Sequence, residues 1–147
     1  MTDRREFILQ CLFRIHRELR LNRADVSRHT KSADQITKKW QKKVEDKLKG
    51  ICSEMEVHHE KIDLVDLSEH TAYEVKVSGK NPHHEFYKDI FKVLVYNEEN
   101  ENSKIETFVF ISEQSGIEAL RKRAESVVGL VRKKHSLRIE FESIPEF

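Results

Sequence analysis

The chain has 147 residues, 37% apolar and 36% charged, with a formal net charge of +1. That length supports one domain around one core and not comfortably two. Four Gly and two Pro argue against a low-complexity chain, and no run nears the roughly 18 apolar residues of a membrane span.

The charge is unevenly spread. Residues 1–50 hold 14 Lys/Arg against 7 Asp/Glu, and residues 51–147 hold 13 against 19. A basic first third attracts phosphates even when the total is near zero, although a solvated helical face explains the same asymmetry. The N-terminal stretch carries charges throughout and lacks the apolar centre of a signal peptide. Cys11 and Cys52 stand far apart on apolar positions of helical patterns. Both read as buried free thiols in a reducing, cytoplasmic setting.

In chain order, Phe7, Ile8, Cys11, Leu12, Ile15 and Leu19 recur at spacings of three and four, which predicts an amphipathic helix over 4–21. Its other face carries Arg4, Arg5, Arg14, Arg17 and Arg20. Residues 22–34 keep no period and read as a connection. Asp34 then offers an N-cap for a second helix whose stripe is Ile36, Trp40, Val44, Leu48, Ile51 and Met55. Lys38, Lys39, Lys42, Lys43, Lys47 and Lys49 line its exposed side, and Glu45 sits at the edge of the stripe.

Val57 belongs to a short first strand and Ile62–Leu67 to a second. Glu69 and His70 make a turn, and Thr71–Val77 form a third strand. Asn81-Pro82 is a helix start, with Asn as N-cap and Pro at the first helical position, and the helix is expected to run from 82 to about 95. Residues 105–111, IETFVFI, read as a strand buried on both faces. Ser115 and Glu118 form a capping box before a third long helix that ends in Arg132, Lys133 and Lys134. Leu137, Ile139 and Phe141 alternate with charged residues as a last, half-exposed edge strand.

The chemistry gathers at Lys61–Ser78. Alternation places Glu74 and Lys76 on one face of the third strand and Val75 and Val77 on the other. The preceding strand offers Asp63 or Asp66. A carboxylate and an amine beside a second carboxylate are parts for a metal ion and a water. An ordinary surface pair is the bland reading. The eight His form no metal set: His58-His59 and His83-His84 are adjacent pairs whose members point apart.

The run IDLV, a turn, then YEVKVS resembles the core of the PD-(D/E)XK nuclease superfamily, in style most like the archaeal Holliday-junction resolvases. The resemblance implies an α/β fold with a restriction-endonuclease-like α-β-β-β-α-β core, a mixed central sheet flanked by helices. On that reading 1–147 is a single domain, with 1–34 an N-terminal helical extension and 35–147 the nuclease-like core. It implies Mg2+, with Mn2+ a plausible substitute, held by Asp63, Glu74, the backbone carbonyl of Val75 and Glu45. Lys76 would orient a water or stabilise developing charge. The family places its Asp at the start of the apolar run, which favours Asp63 over Asp66; Asp66 would then face solvent or cap the turn. Glu85 and Tyr87 lie near where some members place a Gln and a Tyr, and Lys80 is a candidate phosphate contact. The implied activity is a Mg2+-dependent endodeoxyribonuclease acting as a homodimer, with no membrane partner and with RNA left open as a substrate. The alternative is a catalytically inactive relative that binds nucleic acid or a partner protein.

Overall fold

The computed structural model describes residues 2–21, 29–77 and 82–145. Five strands form one mixed sheet: β1 (Ile51–Val57), β2 (Glu60–Asp66), β3 (Thr71–Lys76), β4 (Thr107–Glu113) and β5 (Arg138–Ile144), side by side in chain order. The first three are antiparallel neighbours, and β4 and β5 then add parallel to β3. Parallel pairing demands crossovers. Helix α3 (Pro82–Glu99) carries the first, and α4 (Gln114–Arg123) with α5 (Glu125–His135) carries the second. Helices α1 (Asp3–Leu21) and α2 (His29–Lys47) cover the opposite face.

Each face of the sheet has its own core. Ile62, Ala72, Phe108 and Phe110 pack with Phe86, Ile90 and Val93 of α3. Leu64, Tyr73, Val109 and Ile111 pack with Ile8, Leu12, Trp40 and Val44 of α1 and α2. Strand β4 therefore feeds both cores, as its lack of alternation predicts, and β5 lies at an edge. The helix expected from Pro82 forms and runs four residues past its expected end, to Glu99. No described helix is long and apolar enough to cross a membrane.

Several sequence expectations need correction. Helix α2 begins at His29, before Asp34, and ends at Lys47, so Ile51, Cys52 and Met55 lie on a seven-residue strand and not on a helical stripe. Gly50 marks the change. Its φ is +78°, and an added Cβ would stand 2.6 Å from Ser68 Oγ, so the chain turns from helix to strand where only Gly fits. Cys52 is accordingly half-buried, whereas Cys11 is buried, and both are free. The helix after β4 begins at Gln114 with no side-chain cap, which puts Ser115 inside it, and it bends at Ala124 into α4 and α5. Lys80 and Asn81 lie outside the described residues.

Asp66 and the first arginines have structural work. Arg4 Nε and one terminal nitrogen donate to the two oxygens of Asp66 at 2.9 Å each, and Asp66 also accepts from Ser68 N at 3.0 Å. Asp66 is wholly buried, so it caps the turn and does not face solvent. Arg5 pairs with Glu140 and Glu142 of β5. Arg4 and Arg5 thus fasten α1 to β2 at its turn into β3 and to the edge strand β5. Trp40 Nε1 donates to Ile8 O at 2.9 Å and joins α2 to α1.

A fork-shaped pair to a buried carboxylate is strong, and removing one partner strands the other charge. Arg4→Met is expected to lower unfolding free energy by about 2–3 kcal/mol, read by urea denaturation. A change within about 0.5 kcal/mol, the usual range for a surface substitution, would show that the pair does not anchor α1.

Candidate active site

The ladder between β2 and β3 is short. It pairs Asp66 with Thr71, Val65 with Ala72 and Leu64 with Tyr73, and stops there. Beyond it, side chains take the place of strand partners. Asp63 N donates to Glu74 Oε1 at 3.1 Å, and Val75 N donates to Asp63 Oδ2 at 2.9 Å. Asp63 O accepts from Gln41 Nε2 of α2 at 2.7 Å, and Lys61 O accepts from Lys92 Nζ of α3 at 2.7 Å. Backbone groups that lose a ladder must be satisfied elsewhere, and here four polar side chains do it.

A local break in β1 and β2 makes the opening. Ser53 pairs with Leu64 and Met55 with Ile62, but Glu54 between them has φ +50°. Ile62 and Leu64, two residues apart, consequently feed opposite cores, where a regular strand would put them on one face. Asp63 stands at the break, opposite Glu54.

Asp63 and Glu74 thus come together, as expected, and Asp66 is committed elsewhere. Lys76 lines the same cleft of about 230 Å³ as Asp63, with Asp34, Thr37, Lys38 and Glu54. Among the described residues, the Lys76 ammonium has no hydrogen-bond or ion-pair partner. Val75 turns its side chain to the α1/α2 core while its N–H holds Asp63. Glu45 is exposed on α2 and does not line this cleft; Gln41, one turn earlier, is the α2 side chain that reaches Asp63. Glu85 is half-buried beside Asp89, whose ionisation it disfavours. Tyr87 packs against the Phe86 ring, 5.4 Å between centroids.

A buried cation completes the centre. Lys92 Nζ lies 2.9 Å from Glu74 Oε1 and 2.8 Å from Asp89 Oδ1, and all three residues are buried. Burial, then the neighbouring charges of Asp63 and Asp89, push the Glu74 carboxyl well above its usual range against the pull of Lys92. Burial also raises Asp63, partly offset by the Val75 N–H, and Glu54 adds to the rise. Asp89 is pushed up to about 6, burial outweighing Lys92. For Lys92, burial favours the neutral amine, but Glu74 and Asp89 outweigh it and hold the ammonium charged. Lys92 and Asp89 sit three apart on a helix, and that spacing was the one sequence signal for them. Glu54 had none, because its role follows from the strand break.

Among the described residues, no three His, Cys, Asp or Glu side chains converge as a ready metal set. The donor chemistry nonetheless fits Mg2+, which takes one or two carboxylates and completes its shell with waters and phosphate oxygens. Asp63, which lines the open cleft, and Glu74, buried behind it, make up that number. Compared with known proteins, the chain matches no family model, no curated protein and no solved structure.

Two measurements check the centre. Lys92→Met leaves two buried carboxylates without their cation and is expected to cost about 3 kcal/mol, with part of the loss recovered in the Lys92→Met/Glu74→Gln double variant. Equal losses in the single and double variants would show that charge is not the cause. The raised Asp89 pKa binds a proton more tightly in the folded state, so its contribution is present below the ordinary Asp value and lost as pH rises through about 6. The slope of stability against pH between about 4 and 6 should therefore become shallower in Asp89→Asn. An unchanged slope in that variant would place the titration elsewhere.

Proposed function

We propose that the protein is a divalent-metal-dependent nuclease of restriction-endonuclease-like fold that hydrolyses DNA phosphodiester bonds at the cleft lined by Asp63, with Glu74 buried behind it. The observation that carries this reading is the parting of β2 from β3 at Asp63, with Glu74 and Asp63 each bonded to the other strand's backbone. The element order α2, β1, β2, β3, α3, β4 supports it.

Asp63 and Glu74 would hold the ion, which supplies Lewis-acid polarisation of a phosphate and a bound water of lowered pKa. The rest is the work of the chain. The Val75 N–H fixes one Asp63 oxygen, and Lys92 fixes one Glu74 oxygen. Each carboxylate is thus held in one orientation before substrate arrives, which avoids reorganisation during reaction. Lys76 lines the cleft, and its ammonium would serve as a donor for a developing negative charge. Lys38 lines the cleft, and exposed Lys39, Lys42, Lys43 and Lys47 continue along α2. That row suits the phosphate backbone and would make binding fall steeply with salt.

One observation favours a second reading, a nucleic-acid-binding module without catalysis. Lys92 already compensates charge at Glu74 and Asp89, so the centre is stable without an added ion. Incubation of plasmid and branched DNA with the purified protein separates the two. Cleavage is expected with Mg2+ or Mn2+, none with chelator, and a loss of about 100-fold or more in Asp63→Asn and Lys76→Ala, the size typical of removing one transition-state donor. Tight binding without cleavage under either metal would favour the second reading, and wild-type rates in both variants would overturn the site.

A further inference from the structure

A cavity of about 730 Å³ opens at the end of the sheet away from the Asp63 cleft. Thr71, Thr107 and Arg138 pair at that end of the parallel strands, whereas Lys76, in the cleft, pairs with Ser112 at the other. The walls come from the C-terminal end of α3, the residues entering β4, and the end of α5 with the start of β5. Bonds to main chain fix the rim. Asn97 Nδ2 donates to Ile105 O at 2.9 Å, and Ile105 N donates to Asn97 Oδ1 at 2.7 Å. Glu106 N and Thr107 N both donate to His70 O, and Arg138 N donates to Glu106 O at 3.0 Å.

The charge of the cavity is not balanced from within. Lys104, Arg132, Lys134 and Arg138 line it, and among the described residues none of them makes a side-chain hydrogen bond or ion pair. Arg132 and Lys134 complement the C-terminal dipole of α5, which explains their place on that helix. The dipole does not explain Lys104, which precedes β4, or Arg138, which opens β5. Glu98 and Glu106 line the same cavity, and among the described residues their carboxylates hold no partner either. Counting His135 as neutral, the excess is two positive charges.

Cations brought together from a loop, a helix and a strand suit phosphate oxygens, and Arg presents its donors to them as a fork. A phosphate monoester carries about −1.5 to −2 charges at pH 7, which matches the excess. The two carboxylates disfavour a continuous phosphate backbone, whose charges would pass beside them, but they are acceptors for hydroxyl groups. We propose that this cavity binds a sugar phosphomonoester, with Lys104, Arg132 and Arg138 on the phosphate and Glu98 and Glu106 accepting from sugar hydroxyls. Its volume lies within the roughly 300–1,000 Å³ of small-molecule sites. The inference stands apart from the nuclease reading, since none of these side chains lines the Asp63 cleft.

Isothermal titration calorimetry of the full chain with AMP, ribose 5-phosphate, adenosine and ribose tests it, in chelator to keep metal from the Asp63 cleft. AMP and ribose 5-phosphate are expected to bind at one site with sub-millimolar affinity, and adenosine and ribose about 10-fold or more weakly, for want of the charge-assisted bonds. Tighter binding of AMP than of ribose 5-phosphate would extend the site to the base, and equal binding would confine it to the sugar phosphate. Arg132→Gln and Arg138→Gln, at exposed positions and checked for folding by circular dichroism, are each expected to lose about 10-fold. Lys122→Gln, exposed on α4 and outside the cavity, should bind as the wild type does. Glu106→Gln removes a repelling charge and a hydroxyl acceptor together. Inorganic phosphate should then bind more tightly, and the preference for ribose 5-phosphate over it should fall about threefold or more. An unchanged preference would overturn the part given to the carboxylates. A wild type that binds neither phosphomonoester, or binding indifferent to both Arg variants, would overturn the site. Loss of duplex DNA binding in the two Arg variants, with no phosphomonoester bound by the wild type, would assign the cations to a nucleic-acid backbone instead and equally overturn it.

Discussion

The arrangement at Asp63 depends on one constraint: a strand that leaves its neighbour must have its backbone polar groups satisfied by something else. An orphaned buried N–H or C=O costs on the order of 1–3 kcal/mol. Here β2 leaves β3 after Leu64, and Glu74, Lys92 and Gln41 supply the missing partners. Because the replacements are side chains, the gap is chemically equipped. Two carboxylates that would repel each other in isolation are held at fixed positions by bonds they make to main chain. The cost of burying them falls on Lys92, placed beneath by α3.

The two sides of the sheet have different tasks around that gap. Helix α3 gives the buried cation and closes the floor. Helix α2 gives Gln41 to the Asp63 carbonyl and lines the open side with Thr37 and Lys38. Helix α1 holds this in place from a distance through Arg4 to the β2–β3 turn and Arg5 to β5. A bridge from one helix to both a turn near one edge and the opposite edge strand keeps the sheet's faces in register with the helical layer.

Much of this was legible in the sequence, for identifiable reasons. The alternation of Glu74, Lys76 and Val75, Val77 has period two and needs no tertiary knowledge. The continuous apolar run of β4 told of burial on both faces, and Asn81-Pro82 marked the start of α3. What failed was local periodicity without a stop signal: the spacings of Ile51 and Met55 continued the α2 stripe, and the only contrary mark was Gly50. The capping box at Ser115 met the pattern but not the structure, because β4 runs through Glu113 directly into the helix. At the site, Asp63 and Glu74 came from the resemblance and from strand adjacency. Gln41 and Glu54 were not legible, and Lys92 and Asp89 were legible only as a pair three apart on a helix, since their roles come from helix docking and from a strand break at a non-Gly residue with positive φ. Glu45 was placed by its position on the helix, but the helical turn that faces Asp63 is the one bearing Gln41.

If Asp63 and Glu74 form one cation-binding pair preset by backbone bonds, titration of the metal-free protein with Mn2+, followed by the paramagnetic resonance of the free ion, should find one site in the wild type. Asp63→Asn and Glu74→Gln should each weaken it at least 10-fold, while Glu45→Gln leaves it unchanged. Equal Mn2+ affinity in the wild type and both carboxamide variants would rule the pair out.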